Sequence, residues 1–246
     1  MDILISRPRL RPILFAVMAA IVAAGVLVEV LRPIYDLKTK SGVVPLFSLS
    51  YEENIPTFYS AILLLVCSLL LALVAAGARR NGERFVRSWW VLSAGFLYIA
   101  VDEVLQFHEQ LSKLIKLEGA LFFSWIVPAA ILVVGLGVAY VPFLRALPRR
   151  IALRFLLAGT IYVGGALVME LPLGYWTTHH GTDNLEYGLI DAFEETLEML
   201  GLNLFLLTLL DHLADKGWAV RVASGKAPSA APGTGTETES KAAKVI

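Results

Sequence analysis

The side chains in this sequence best placed to do chemistry are carboxylates, and their densest run is Asp191-Ala-Phe-Glu-Glu-Thr-Leu-Glu198. An α-helix turns about 100° per residue, so Asp191, Glu194, Glu195 and Glu198 fall within an arc of about 100°, with Tyr187 and Asn184 continuing the same face. A second run, Val101-Asp-Glu-Val-Leu-Gln-Phe-His-Glu109, has the same character. On an unbroken helix Tyr98, Asp102, Gln106 and Glu109 share one stripe with Glu103 at its edge, and His108 points about 100° away from Glu109. That phase admits Glu109 to a ligand set more readily than His108, which joins only if the helix unwinds near its end. Glu170 adds a carboxylate from a third segment. Oxygen donors from several helices, with one or two imidazole nitrogens, are the composition of a divalent-metal site. The expected donors are Asp102, Glu103, His108, Glu109, Glu170, Asp191, Glu194, Glu195 and Glu198.

Two familiar metal patterns are not met. The four-helix di-iron arrangement uses Glu-x-x-His on two helices, and neither copy is present. A His-rich zinc site wants about three histidines, so His179 and His180 would have to fold inward to join His108. They lie in Tyr175-Trp-Thr-Thr-His-His-Gly-Thr-Asp183, which reads as a polar loop and a natural lid, with Trp176 as a membrane anchor. The single cysteine, Cys67, excludes an intrachain disulfide and a thiolate metal site.

The elements that must carry these acids are membrane helices. The chain has 246 residues, 57% of them hydrophobic and 17% charged. Its mean hydropathy is +0.68, too apolar for a soluble domain of this size. The expected fold is all-α, a polytopic bundle of six transmembrane helices at about 12–33, 55–78, 88–110, 120–143, 152–172 and 188–211. The stretch after Arg7, Arg9 and Arg11 is too long for a signal-peptide core and reads as a retained first span. Residues 1–217 form the membrane domain, and residues 218–246, rich in Ala, Pro, Gly, Ser and Thr, read as a disordered cytoplasmic tail. Formal net charge is zero, which excludes a nucleic acid partner of the usual basic kind.

Arginines cluster at residues 7–11, 79–87 and 145–154, with further cations in the tail, while the alternate loops hold few. By the positive-inside rule both termini are cytoplasmic. Most of the 21 acids then fall on the opposite, outer side. Between its last inner cation and first outer acid, each of spans 1, 3 and 5 (Arg11 to Glu29, Arg87 to Asp102, Arg154 to Glu170) is shorter than the roughly 20 residues a crossing needs. The charge-free run Met199–Leu210 of span 6 is only about 18 Å long. Spans 1, 3, 5 and 6 are therefore expected to turn acids toward a shared interior, and the charge-free spans 2 and 4 to sit toward lipid. Gly159, Val163, Ala166 and Glu170, with Gly164-Gly165 adding small residues, predict a close-packing face on span 5, Pro128 a kink in span 4, and Asn203 and Thr208 bonds across helices.

An acid at a membrane helix centre costs roughly 2.5 to 3.5 kcal/mol, and each Leu, Ile, Phe or Val returns only about 0.3 to 0.6. No intramembrane Lys or Arg is evident as a counter-charge, so something else must neutralise the stripe. Three readings follow: a divalent metal site, which would give activated water if a coordination position is open; a non-catalytic scaffold whose acidic rim docks a basic periplasmic or membrane protein, or lipid headgroups; and a proton or cation transporter. Enzyme activity is left open by all of them.

Ser50-Tyr-Glu-Glu-Asn-Ile-Pro-Thr57, Asp102-Glu103 with His108-Glu109, and Glu194-Glu-Thr-Leu-Glu-Met-Leu-Gly201 together resemble a set of uncharacterised bacterial multi-pass membrane proteins. The resemblance covers the membrane part without the tail and implies a bacterial inner membrane with the outer side periplasmic. It marks Glu52, Asp102, Glu103, His108, Glu109, Glu194, Glu195 and Glu198 as motif positions and carries no activity.

Overall fold

The computed structural model describes residues 7–219 and 244–245. Its helices are α1 (Arg7–Tyr35), α2 (Val43–Phe47), α3 (Ile55–Arg80), α4 (Val86–Leu105), α5 (Phe107–Leu114), α6 (Ile126–Ala146), α7 (Arg149–Val163), α8 (Glu170–His180) and α9 (Leu185–Asp215). A π-helical turn, Gly164–Met169, joins α7 to α8 into one rod of 32 residues. Six helices are long and apolar enough to cross a membrane: α1, α3, α4, α6, the α7–α8 rod and α9. Trp218–Ala219 pairs in parallel with Lys244–Val245, and the rest of the expected disordered tail lies outside the described residues.

Caps and breaks set the boundaries. Asn54 caps α3 by accepting the Thr57 N–H at 3.1 Å, with Pro56 in the first turn where its missing N–H is harmless. Asn184 caps α9 through the Tyr187 N–H at 2.9 Å. Several expected boundaries move. The fourth crossing helix starts at Ile126, which puts Pro128 in its first turn, where it removes no helical bond and gives no cause for a kink. The expected loop at 175–183 is helical through His180, where Gly181 at φ +75° ends it.

Helices α3 and α9 form the centre. Of their most apolar stretches 56% and 50% are buried, against 11% for α6. α6 faces outward as its clean sequence suggests, but α3, expected on the lipid side for the same reason, is the most buried helix of the bundle. A charge-free surface is as suited to protein as to lipid, and the small Ala75, Gly77 and Ala78 let neighbours approach. Ser68 and Ser93 lock α3 to α4, each hydroxyl donating to the other's carbonyl, at 2.8 and 2.9 Å. Gly165 rather than Gly159 meets α9, because Ala158, Tyr162 and Gly165 share the face turned toward it and Gly159 lies about 100° round the helix. A Cβ at Gly165 would lie 2.8 Å from the Glu194 carbonyl, whereas nothing comes within 4 Å of one at Gly159. Asn203 bonds across the bundle, accepting from Tyr59 Oη at 2.9 Å, while Thr208 donates to Leu204 of its own helix.

The arginine-bearing end is filled. Leu71, Val74, Trp89, Phe143, Ile151, Phe155, Leu209 and Leu213 form one apolar cluster there, with Leu63, Leu64, Cys67, Leu202 and Leu206 above it. The other end carries the acids.

Candidate functional site: a carboxylate pocket

The end of α4 is built differently from an unbroken helix. Gln106 sits at φ +55°, ψ +42°, a left-handed conformation uncommon for a residue with a Cβ, and it ends α4 and begins α5. Asp102 secures the break. Its backbone carbonyl accepts the Gln106 N–H at 2.7 Å, and its side-chain Oδ1 accepts the His108 N–H at 3.1 Å, capping α5. The second carboxylate oxygen lies 2.7 Å from His108 Nδ1. The break reverses the expected phase. His108 turns inward onto Asp102, and Glu109, expected to be the better ligand, stands on the rim with 43% of its side chain exposed, 3.3 Å from Lys113.

The other nitrogen, His108 Nε2, faces Glu52 Oε1 at 3.7 Å. The imidazole packs on Trp125, with ring centroids 5.0 Å apart, and the Trp125 indole N–H donates to Glu170 Oε1 at 3.0 Å. Trp125 thus links the α4–α5 corner to the α7–α8 rod. Its own backbone N–H reaches Ser112 Oγ at 3.4 Å.

The acids of α9 complete the pocket. Glu194 is buried, and Asp191, Glu195 and Glu198 are half-buried, within electrostatic reach of Glu52, Glu103 and Glu170. The structure therefore brings Asp102, Glu103, His108, Glu170, Asp191, Glu194, Glu195 and Glu198 to one region, leaving Glu109 at its edge. Glu170 Oε2 and Glu194 Oε2 are buried without a hydrogen-bond partner, as is one oxygen of Glu52. Among the described residues none of these three acids makes an ion pair with Lys or Arg. Nor do three His, Cys, Asp or Glu side chains among them already converge as a closed metal-ligand set.

Glu29, the acid of α1, is handled separately. It is 2% exposed, accepts from Ser48 Oγ, and pairs at 3.4 Å with Arg32, one turn along its own helix. A carboxylate within a helix long and apolar enough to cross a membrane thus has a cation after all, which corrects the sequence expectation. Arg32 also meets Asp183, beside a cleft of about 250 Å³. His179 and His180 stay outside: both are exposed, His179 tilted against Tyr175 and His180 stacked on Trp176, so no lid of histidines covers the acids.

Electrostatics at the solvent-side corner follow from crowding. Burial pushes the Glu52 carboxyl up to about 7; His108 opposes this, and Glu109 and Asp102 add to it. For His108, burial acts to lower the pKa and is outweighed by the hydrogen bond and charge of Asp102 and by Glu52 and Glu170, so the imidazole is raised.

Sequence reasoning named Glu52 as a motif position but gave it no place in the site, and it missed Trp125. Its nearest signal was Asn54-Ile-Pro56, a helix start that holds Glu52 at the mouth of the bundle.

The family model described as a domain of unknown function (DUF8692) matches residues 6–213. The chain belongs to this family. The DUF8692 match takes in the carboxylate pocket and the six helices long and apolar enough to cross a membrane, short of the last two residues of α9, and leaves out everything beyond residue 213. No curated protein and no solved structure matches the chain.

Proposed function

We propose that this chain is a multi-pass protein of a bacterial inner membrane, with both termini cytoplasmic, whose carboxylate pocket binds a divalent cation at the periplasmic side. The single observation that carries this is the pair of orphaned oxygens, Glu170 Oε2 and Glu194 Oε2, on residues each 7% exposed and surrounded by further acids. A buried acceptor without a donor costs about 1–3 kcal/mol, and more when charged, so the site is incomplete as a protein-only structure. A divalent ion supplies two positive charges and several coordination positions at once. Repulsion holds unneutralised carboxylates apart, and an ion would draw them into a ligand set.

Membrane location is supported by the outward apolar surface, such as Ile131, Val134 and Val138 of α6 at 71%, 66% and 69% exposure. The arginine distribution supports the orientation. Transport is the weaker reading, because the aromatic and aliphatic cluster around Trp89 and Phe155 packs the arginine-bearing end.

The test is elemental analysis of detergent-purified protein alongside Glu198→Ala, with Glu109→Ala as the rim control. Near-stoichiometric divalent metal in wild type and Glu109→Ala, lost from Glu198→Ala, is the expected result. Metal-free protein whose melting temperature ignores added divalent ions would end the reading, and salt-sensitive co-purification of a basic protein would then favour the scaffold. Fusing a reporter active only outside the cytoplasm to the C-terminus should give no signal, whereas the same reporter after Lys116 should be active.

A further inference from the structure

The acids alone would suit a hard, all-oxygen ion such as calcium or magnesium, but the corner at the α4–α5 break adds a nitrogen. We propose that His108 Nε2 and Glu52 are the leading donor pair of the pocket, aimed by Asp102 and Trp125, and that its ion is therefore a first-row transition metal of the zinc or iron class. The inference rests on the cation-binding reading and deepens it.

The geometry is that of a prepared ligand. A carboxylate only accepts, so in the neutral imidazole Asp102 Oδ2 at 2.7 Å from Nδ1 holds the proton on Nδ1 and leaves the Nε2 lone pair for an ion. Asp102 is itself fixed by the His108 backbone N–H at 3.1 Å, so one carboxylate sets both the backbone and the ring. Carboxylate-oriented histidine is the usual support of an imidazole metal ligand. Nε2 lies 3.7 Å from Glu52 Oε1. Two donors on one ion with bonds of about 2.0–2.1 Å stand roughly 3.3 Å apart at the tetrahedral angle, so a small side-chain closure suffices. Trp125 braces the back of the ring and holds Glu170 by one oxygen, leaving the other buried and unpartnered within electrostatic reach of His108. Glu52 keeps 31% of its side chain exposed, so the ion would retain a face toward water. Imidazole favours zinc, iron, nickel and copper, whereas calcium and magnesium take oxygens.

The experiment uses full-length protein in detergent, stripped with a chelator and titrated with Co²⁺, Zn²⁺ and Ca²⁺. Wild type is expected to give visible Co²⁺ absorption bands and to bind Zn²⁺ at least 100-fold more tightly than Ca²⁺. In His108→Gln the Co²⁺ bands should shift and Zn²⁺ affinity fall 100-fold or more, with Ca²⁺ affinity unchanged; Asp102→Asn should lose about 10–100-fold. The selectivity of the unmodified protein stands as a test even if a variant fails to fold. Equal Zn²⁺ and Ca²⁺ affinity in wild type, or Co²⁺ bands unmoved in folded His108→Gln, would make His108 an internal counter-cation and overturn the inference while leaving the cation site standing. Wild type that binds none of the three would remove both.

Discussion

His108 and Asp102 meet across a helix break, with backbone and side chain of one residue bonded to the two oxygens of the other at 3.1 and 2.7 Å. This double contact turns a histidine that helical phase would point away from the acids into the wall of their pocket. It also links the local conformation at Gln106 to the chemistry of the site.

The pH dependence of stability follows from that corner. Glu52 is raised from 4.5 to about 7, so the folded protein holds a proton there that the unfolded chain has released. Metal-free protein should lose stability as pH rises from about 4.5 to about 7. His108, also raised, adds stability that is present below 6.5 and lost as pH passes its higher folded value. A metal ion replaces those protons, so the melting-temperature gain on adding Zn²⁺ should be larger at pH 8 than at pH 6. Thermal melts across that range, with and without the ion, check both signs.

Glu194→Gln should separate stability from binding. The amide removes an ionisable group buried among acids and can donate toward a neighbouring carboxylate. Metal-free protein should melt higher, by about 2–4 °C for each kcal/mol gained, and the gain on adding metal should shrink. A lower melting temperature without metal would mean that Glu194 is already neutralised within the protein.

Glycine substitutions test the close approach of the α7–α8 rod to α9. A Cβ at Gly201 would lie 2.7 Å from Tyr162 N and 2.9 Å from Ala158 O, and backbone atoms cannot swing aside. Gly201→Ala should cost about 1–3 kcal/mol. Gly159→Ala, with nothing within 4 Å, should be neutral or stabilising by about 0.5–1 kcal/mol. Detergent melts of the pair measure the contrast.

Trp89→Ala probes the opposite end. Trp89 is 3% exposed and packs edge-on against Phe143, centroids 4.7 Å apart, and on His212 at 5.2 Å. Its loss should destabilise by about 3–5 kcal/mol. Metal content of the surviving folded fraction should be unchanged, because the site lies at the other end of the bundle.

The sequence by itself determined the all-helical class, the six helices long and apolar enough to cross a membrane and the end at which the acids collect. Those follow from hydropathy, segment length and charge placement, which act through water and bilayer and need no knowledge of neighbours. It also marked the α9 stripe, because Asp191 to Glu198 lie within one unbroken helix whose period is fixed. Tertiary structure decided which acids serve the pocket. The left-handed turn at Gln106 and the π turn at Gly164–Met169 each reset helical phase, and neither Gln106 nor the Gly164-Gly165 pair announces such a change locally. Helical phase is an accumulated angle, so one irregular residue redirects every side chain beyond it. That is why His108 replaced Glu109, while the face that α7 turns to α9 and the central place of α3 emerged only when the helices were packed together.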